Sequence, residues 1–258
     1  MVNPISLGRA GVHPVQLGPG HLVVAVPVLA STSAEAYRQW CHAADRGADL
    51  VEWRLDPLLT SGEAERAFAV APSWREQESC PVLVTVRTAA EGGDWSAVPG
   101  EYLDWVERAG TWADAVDIEL ATPAVGELVD RSHQQGARVV LSRHVLAGSV
   151  DPGELQATLE QMVTLGADVV KVAWQVQSRL DVDQILAAQR WAAETLPVPA
   201  VIIGMGPAGQ ATRRGQAARL SAFTFGVGAV ESAPGQLSIA ELRAADLALG
   251  DEGEPSRA

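Results

Sequence analysis

The stretch Gly166-Ala-Asp-Val-Val-Lys-Val-Ala-Trp174 predicts a buried β-strand, because an apolar, β-branched run follows its opening Gly-Ala-Asp. Inside it lies Lys171, the only lysine of the chain; the rest of the 19 basic residues are arginines. Lysine is rarely fully buried without a reason. An amine, unlike a guanidinium, can lose its proton near neutral pH and attack a carbonyl. The stretch therefore predicts a strand that carries a nucleophilic lysine, and the alternative is a single lysine retained by chance.

Short apolar runs alternate with longer amphipathic runs in eight strand–helix units of about 30 residues, the length of a βα repeat. The predicted strands span residues 21–29, 50–55, 81–87, 115–120, 137–142, 168–174, 198–205 and 222–227. The predicted helices span residues 33–46, 61–70, 100–109, 122–135, 151–165, 180–195, 208–220 and 237–249. We expect Ser33 to cap the first helix, and Asp151 to cap the fifth with Pro152 at its first position.

Eight parallel strands close into a barrel more readily than they form an open sheet. The predicted fold class is therefore α/β, a (β/α)8 TIM barrel in a single domain over residues 21–249. Residues 1–20 are predicted to be a loose lead-in, and residues 250–258 a polar tail. A doubly wound open sheet is the alternative. It would have a glycine-rich turn after an early strand, where this chain has Ala30-Ser-Thr-Ser33.

The composition restricts the partners and the compartment of the protein. A net charge of −13 and a pI near 4.8 argue against binding to nucleic acid or to an anionic membrane surface. Two cysteines, Cys41 and Cys80, make no disulfide framework and suit a reducing cytoplasm. No apolar run approaches the length of a membrane span, and residues 1–20 lack the apolar core of a signal peptide. We therefore expect a cytoplasmic protein.

Polar side chains cluster where the predicted strands end, which is the face of a barrel that carries chemistry. At period two, the residues of one strand end share one face. The candidates are Glu52, Arg54 and Asp56; Arg87 and the following Glu91; Asp117 and Glu119; Ser142 and His144; Lys171; Arg213; and, after the eighth strand, Ser232 and Gln236. For Asp117 and Glu119 the alternative is a structural role, in which each pairs with a neighbouring arginine.

The chemistry of this set would begin at Lys171. Positive charge and burial both favour the neutral, nucleophilic form of an amine. We expect Arg54, Arg87 and Arg213 to supply that positive charge and to bind a substrate carboxylate. An imine on Lys171 would acidify the carbon next to the former ketone. His144, the only histidine on a predicted strand end, would act as acid and base, with Glu91 to orient it.

Two kinds of cofactor site are weakly supported by the sequence. The five histidines are scattered without HxH or HExxH spacing, so no metal site is predicted. The segment Gly204-Met-Gly-Pro-Ala-Gly209 has the spacing G-x-G-x-x-G of a dinucleotide-binding loop. It follows the seventh strand rather than an early βαβ unit, and it lacks the downstream acidic partner. We therefore predict no cofactor.

Seven motifs follow one another over nearly the whole chain. They are Glu52-x-Arg54-x-Asp56; Arg87-Thr-x-x-Glu91-Gly-Gly; Asp117-x-Glu119; Ser142-x-His144; Ala167-Asp-Val-Val-Lys171; Met205-x-x-x-Gly209-x-x-Thr212-Arg213; and Ser232-Ala-Pro-Gly-Gln236. In this order they resemble the type I 3-dehydroquinate dehydratase family. The chain departs from the family pattern after His144, where Val-Leu146 replaces Asp-Phe, and at Trp174, where the family has a small aliphatic residue or Met.

The resemblance implies dehydration of 3-dehydroquinate to 3-dehydroshikimate and water, a hydro-lyase step of the shikimate pathway to the aromatic amino acids. It implies that Lys171 forms a Schiff base with the C3 ketone, and that His144, paired with Glu91, moves the C2 proton to the departing C1 hydroxyl. It also implies no metal, no organic cofactor and a homodimer. The residues that it assigns to substrate binding are Glu52, Arg54, Arg87, Arg213, and, on a closing loop, Ser232 and Gln236.

Two other functions remain open from the sequence. A lysine-dependent barrel aldolase would also use a buried lysine, and many such barrels bind phosphate with glycines after the last two strands. Gly226 and Gly228 leave room for that. A non-catalytic barrel that binds a partner would be expected to lack one of the chemical groups, but Lys171, His144 and Glu91 are all present.

Overall fold

A parallel sheet curled into a barrel is the centre of the computed structural model, which describes residues 2–78, 80–228 and 237–251. The strands are β1 (Ile5–Leu7), β2 (Val15–Leu17), β3 (Val24–Leu29), β4 (Leu50–Arg54), β5 (Val82–Thr85), β6 (Ala115–Glu119), β7 (Arg138–Val145), β8 (Val169–Gln175), β9 (Ala200–Met205), β10 (Thr224–Val227) and β11 (Leu237–Ser238). The helices are α1 (Ser33–Asp45), α2 (Asp56–Ser61), α3 (Ala64–Gln77), α4 (Pro99–Gly110), α5 (Val125–Gln134), α6 (Pro152–Thr164), α7 (Arg179–Thr195), α8 (Gln216–Leu220) and α9 (Ile239–Asp251).

The order of the strands closes the barrel. Strands β3 to β9 pair in parallel in chain order, and β10 pairs in parallel with the other edge of β3. The gap between β9 and β10 is joined by a backbone hydrogen bond of 2.7 Å from the N–H of Ala222 to the carbonyl of Ala200. The predicted (β/α)8 TIM barrel is confirmed, and each of the eight predicted strands is observed.

Several predicted boundaries differ from the structure. The helix predicted over residues 61–70 is observed as α3, which begins only at Ala64 and extends to Gln77. The short helix α2 before it was not predicted; it ends at Ser61 and is followed by Gly62, whose φ of 77° is readily adopted by glycine. The first two residues of the predicted last helix form instead the short strand β11, which pairs in parallel with β10. The side chain of Thr32, not Ser33, caps α1. Asp151 caps α6, as predicted.

Residues 1–20 are not the loose lead-in that we predicted. Strands β1 and β2 form an antiparallel hairpin, and Leu7 and Leu17 of that hairpin are each 1% exposed within the apolar cluster inside the barrel. Apolar residues at positions 5, 7, 15 and 17 have the period of a strand. Each run is only three residues long, too short to be distinguished as a strand by its pattern alone. The hairpin closes the end of the barrel at which the strands begin.

Residues of the barrel strands alternate between an inner apolar layer and an outer one packed under the helices. Trp53 of β4 points outward into a cluster of aromatic rings whose centroids lie 5.3–6.1 Å apart. The cluster consists of Trp40, Trp53, Phe68, Trp74, Trp105 and Trp112. Because successive strand residues face opposite sides, Glu52 and Arg54 point into the barrel. None of the described helices is long and apolar enough to cross a membrane.

Candidate active site

Lys171 lies in β8 with its side chain inside the barrel, 3% exposed. Its Nζ donates to Oδ2 of Asp117 at 3.0 Å, and it lies 3.5 Å from Oε1 of Glu52. The amine is also 5.1 Å from the centroid of the Phe225 ring, a distance at which a cation and an aromatic face attract. We expected arginines beside this amine, but its ion pairs within the described residues are with carboxylates. These carboxylates offset the cost of burying the ammonium.

Arg87, just beyond β5, is the centre of a buried network. Its Nη1 donates to Glu91 at 3.1 Å and to Glu119 at 2.9 Å, and its Nη2 donates to Asp117 at 2.7 Å. Both nitrogens also lie 3.1 Å from Oγ of Ser142. Although burial lowers it, the three carboxylates raise the pKa of Arg87 above its ordinary value. This pairing is the structural role that we considered as the alternative for Asp117 and Glu119.

Asp117 connects this network to the lysine. Its Oδ1 accepts hydrogen bonds from Arg87 and, at 2.6 Å, from the hydroxyl of Ser142, while its Oδ2 faces Lys171. Although burial raises it, the charges of Arg87 and Lys171 lower the pKa of Asp117 to about 2. The carboxylate is therefore ionised at neutral pH, and it gives any positive charge on Lys171 a fixed counter-charge.

His144 and Glu91 form a hydrogen-bonded pair on the mouth side of the lysine. On β7, Ser142 lies opposite Lys171 and His144 lies opposite Ala173. His144 is therefore two residues closer than Lys171 to the C-terminal ends of the strands. Oε2 of Glu91 lies 2.9 Å from Nδ1 of His144 and accepts its backbone N–H at 3.0 Å. Because an ionised carboxylate can only accept, Nδ1 is assigned the proton, and Nε2 is left to act as a base.

Burial sets the protonation of this pair. It raises the pKa of Glu91 to about 7, against the opposing charge of Arg87. Burial, and then the positive charges of Arg87, Lys171 and Arg54, hold the pKa of His144 well below its ordinary value. Groups that share a hydrogen bond in this way titrate as a unit. Near pH 7 the pair therefore takes up one proton, and the lowered pKa of His144 keeps its imidazole neutral at that pH.

Two further arginines reach the same side of the barrel. Arg54, at the end of β4, donates two hydrogen bonds of 2.7 Å to the carboxylate of Asp56, which fixes the plane of its guanidinium. Arg213 ends a 3-10 turn, Pro207–Arg213, and its Nη2 donates to the carbonyl of Gly206 at 3.3 Å. Burial lowers the pKa of Arg213, but a guanidinium remains charged.

The glycines before Arg213 allow the chain to pack closely against itself. A Cβ at Gly209 would overlap the carbonyl oxygen of Gly204, so the two backbones touch. Gly206 has a φ of 86°, which disfavours other residues. The hydroxyl of Thr212 donates to the carbonyl of Gly209 at 2.7 Å and accepts the N–H of Gly204 at 2.9 Å. The G-x-G-x-x-G spacing thus reflects a turn that is filled by its own chain.

A cavity of about 240 Å³ opens above the lysine and gathers most of the predicted residues. It is lined by Glu52, Arg54, Arg87, Glu91, Gly92, His144, Leu146, Lys171, Ala173, Ile203, Met205, Arg213 and Phe225. Ser232 and Gln236 belong to residues 229–236, outside the described part of the chain. Our sequence reasoning missed the apolar lining, Ala173, Ile203 and Phe225. The period of two could have indicated such residues, because Ala173 follows Lys171 by two residues on one strand and so faces the same side.

A parallel barrel with a buried lysine and a histidine–carboxylate pair defines a lysine-dependent lyase of the (β/α)8 barrel class. A family model described as Type I 3-dehydroquinase matches residues 24–250, and the chain belongs to that family. It is 31% identical over 238 residues to 3-dehydroquinate dehydratase of Clostridium kluyveri, which covers 90% of this chain and 93% of that protein. It is 32% identical over 230 residues to 3-dehydroquinate dehydratase of Klebsiella pneumoniae, with 87% and 92% covered.

The structure agrees with that membership. The crystal structure of 3-dehydroquinate dehydratase from Geobacillus kaustophilus superposes with a TM-score of 0.89 at 28% identity and covers 98% of each chain. The type I enzyme from Clostridium difficile superposes with a TM-score of 0.86 at 24% identity, covers 97% of this chain and 99% of that one, and supports the fold. The predicted family and the predicted class of enzyme, a hydro-lyase, are confirmed by these matches.

Proposed function

We propose that this protein dehydrates 3-dehydroquinate to 3-dehydroshikimate and water through an imine on Lys171. One observation carries the proposal: the buried amine of Lys171 lines a small cavity together with His144 of the neighbouring strand, and His144 is hydrogen-bonded to Glu91. A nucleophilic amine next to an imidazole whose pKa is held below its ordinary value, and which is therefore a neutral base, is the arrangement that imine-based proton removal requires. Membership of the type I family and the names of the relatives support the same reaction.

The steps follow from the positions of these groups. The neutral amine of Lys171 attacks the ketone carbon, and uptake of one proton from solvent with loss of water gives an iminium ion whose positive charge lies beside Asp117. Nε2 of His144 removes the proton from the adjacent carbon, and the electron pair moves to the iminium nitrogen to give an enamine. The electron pair returns as the hydroxyl group on the next carbon departs, protonated by His144. Water then hydrolyses the imine and releases the unsaturated product and the free amine.

The charged groups of the cavity suit a carboxylate that carries hydroxyl groups. We assign the substrate carboxylate to Arg213, the cation nearest the ends of β9 and β10, and the ring hydroxyls to Glu52, Arg54 and Arg87. Because Arg54 and Arg87 are already held by carboxylates, their spare hydrogen-bond directions are fixed before substrate arrives. We also propose that Ser232 and Gln236 close over the substrate, and that the reaction needs neither a metal nor an organic cofactor.

The wider setting is part of the proposal. We propose a role in the shikimate pathway to the aromatic amino acids, in the cytoplasm, as a homodimer. The net charge of −13 supports a protein that binds neither nucleic acid nor an anionic membrane surface.

The test uses the single lysine. The protein is incubated with 3-dehydroquinate, reduced with borohydride, weighed intact by mass spectrometry and then mapped by peptide. We expect one reduced adduct on Lys171, and formation of 3-dehydroshikimate before reduction. The N-terminal amine is the only rival primary amine, and omission of substrate or of borohydride supplies the controls. A folded protein that gives neither adduct nor product would refute the proposal.

A further inference from the structure

Glu119, the last residue of β6, holds two parts of the site at once. Its Oε1 accepts from Nη1 of Arg87 at 2.9 Å and from the backbone N–H of Thr88 at 2.8 Å. Its Oε2 accepts from the hydroxyl of Thr88 at 2.8 Å. Thr88 begins the turn that carries Glu91, since its carbonyl accepts the N–H of Glu91 at 3.0 Å and of Gly93 at 2.9 Å. One carboxylate thus fixes both the guanidinium and the root of this turn.

Glu119 itself lies next to the active site but outside its cavity. It does not line the substrate cavity, and within the described residues its side-chain contacts are with Arg87 and Thr88 rather than with Lys171 or His144. Its backbone is also held, because its N–H donates to the hydroxyl of Tyr102 on α4 at 2.9 Å. Glu119 is 5% exposed and well anchored, and it does not belong to the lining of the substrate cavity.

Building on the proposed function, we infer that Glu119 is a positioning residue for the base. It clamps Arg87 and the turn at Thr88, so that Glu91 is aimed at Nδ1 of His144, and it holds a second negative charge close to that of Glu91.

The electrostatic effect of Glu119 on Glu91 follows from the distance between their carboxylates. Nη1 of Arg87 bridges Oε2 of Glu91 at 3.1 Å and Oε1 of Glu119 at 2.9 Å, so the two oxygens are at most about 6 Å apart. Two negative charges this close disfavour each other, which makes a proton on the Glu91–His144 pair more favourable. The other charged groups that face the pair are Arg87 beyond β5, Asp117 on β6, Lys171 on β8 and Arg54 on β4.

The experiment compares the wild type with three variants. Glu119→Gln removes the charge and keeps the shape, Glu119→Asp keeps the charge and shortens the reach, and Thr88→Val removes one donor to Oε2 while it leaves every charge in place. For each we would measure the pH dependence of kcat/KM with 3-dehydroquinate and the melting temperature. The imidazole nitrogens of His144 would also be titrated by NMR without substrate.

The wild type should lose kcat/KM below about pH 7. Glu119→Gln should move that midpoint to lower pH by about 0.5–2 units, from the charge interaction across about 6 Å, and should lower kcat on the plateau about tenfold through misalignment of Glu91. Glu119→Asp should lower kcat with the midpoint retained. Thr88→Val should retain the midpoint.

Other outcomes would overturn the inference. A purely structural role predicts a lower melting temperature in Glu119→Gln without any change in the midpoint, and that result refutes it. Should Glu119→Gln not fold, an unchanged kcat in a folded Glu119→Asp would refute the clamp. If the wild type does not turn over 3-dehydroquinate, the proposed function fails, but the NMR titration still decides the role of Glu119. An unmoved titration of His144 in the Gln variant counts against it.

Discussion

Replacing Asp114 by alanine should destabilise the fold by several kcal/mol and leave the chemistry of the site intact. Asp114 is buried where the hairpin of β1 and β2 meets the bottom of the barrel. Its Oδ1 accepts from Nη2 of Arg75 and from the backbone N–H of Arg9, both at 2.6 Å. Its Oδ2 accepts from Nε of Arg75 at 3.0 Å and from the N–H of Val82 at 2.9 Å. One side chain thus satisfies a largely buried guanidinium and two backbone groups.

The expected loss of stability follows from the buried groups that the substitution leaves without a partner. Removing one partner of a buried ion pair costs about 3–5 kcal/mol, because the remaining charge stays buried without compensation. For a protein of this size, each kcal/mol corresponds to about 2–4 °C in melting temperature. We therefore expect Asp114→Ala to melt about 6–20 °C below the wild type. Asp114→Asn, which keeps one oxygen acceptor, should fall between the two.

The assay is thermal unfolding followed by circular dichroism, with kcat and KM measured at 25 °C, where the variant is still folded. Glu154→Ala is the matched control, because its pair with Arg143 is about half exposed and contributes about 1 kcal/mol or less. A loss of under 2 °C in Asp114→Ala would refute the reasoning about buried charge. A large loss of kcat in folded protein would show that the barrel bottom communicates with the site.

Three other changes test the site. Lys171→Met should abolish the borohydride adduct and lower kcat at least about a thousandfold, as loss of a covalent nucleophile does; a retained adduct would place the imine elsewhere. Glu91→Gln should move the acidic limb of kcat/KM from about pH 7 to below pH 6.5, because His144 then titrates alone with its pKa lowered by burial and neighbouring cations; a limb that stays near pH 7 contradicts the assignment. Gly209→Ala should cost about 1–3 kcal/mol and raise KM, because the added Cβ overlaps Gly204 in the turn that carries Arg213; melting and steady-state kinetics would show it.

The barrel could be predicted because each of its strands and helices is indicated by a short, continuous stretch of the sequence. Each strand is an apolar run with helical segments on either side, and the polar residues at the strand ends follow the period of two. Seven of the nine site residues that we assigned line one cavity, and the other two lie outside the described residues.

The partners of Lys171 could not be predicted from the sequence. They depend on the register between strands, in which Thr85 lies opposite Asp117 and Ser142 lies opposite Lys171. That register brings Asp117 between the guanidinium of Arg87 and the amine, where we had expected the positive charge of arginines. Contacts across a barrel join residues far apart in the chain, and no short pattern records them. The hairpin of β1 and β2 was missed for a different reason: its two apolar runs are too short to be recognised as strands.

The hairpin under the barrel also bears on how molecules come and go. With Leu7 and Leu17 filling the space where the strands begin, the part of the barrel that the structure describes is closed at that end and has its mouth at the other. Substrate, product and the water released by the reaction must all use that mouth in turn. Product therefore has to leave before the next substrate can bind, and the two compete for the same free enzyme rather than passing through it in a line.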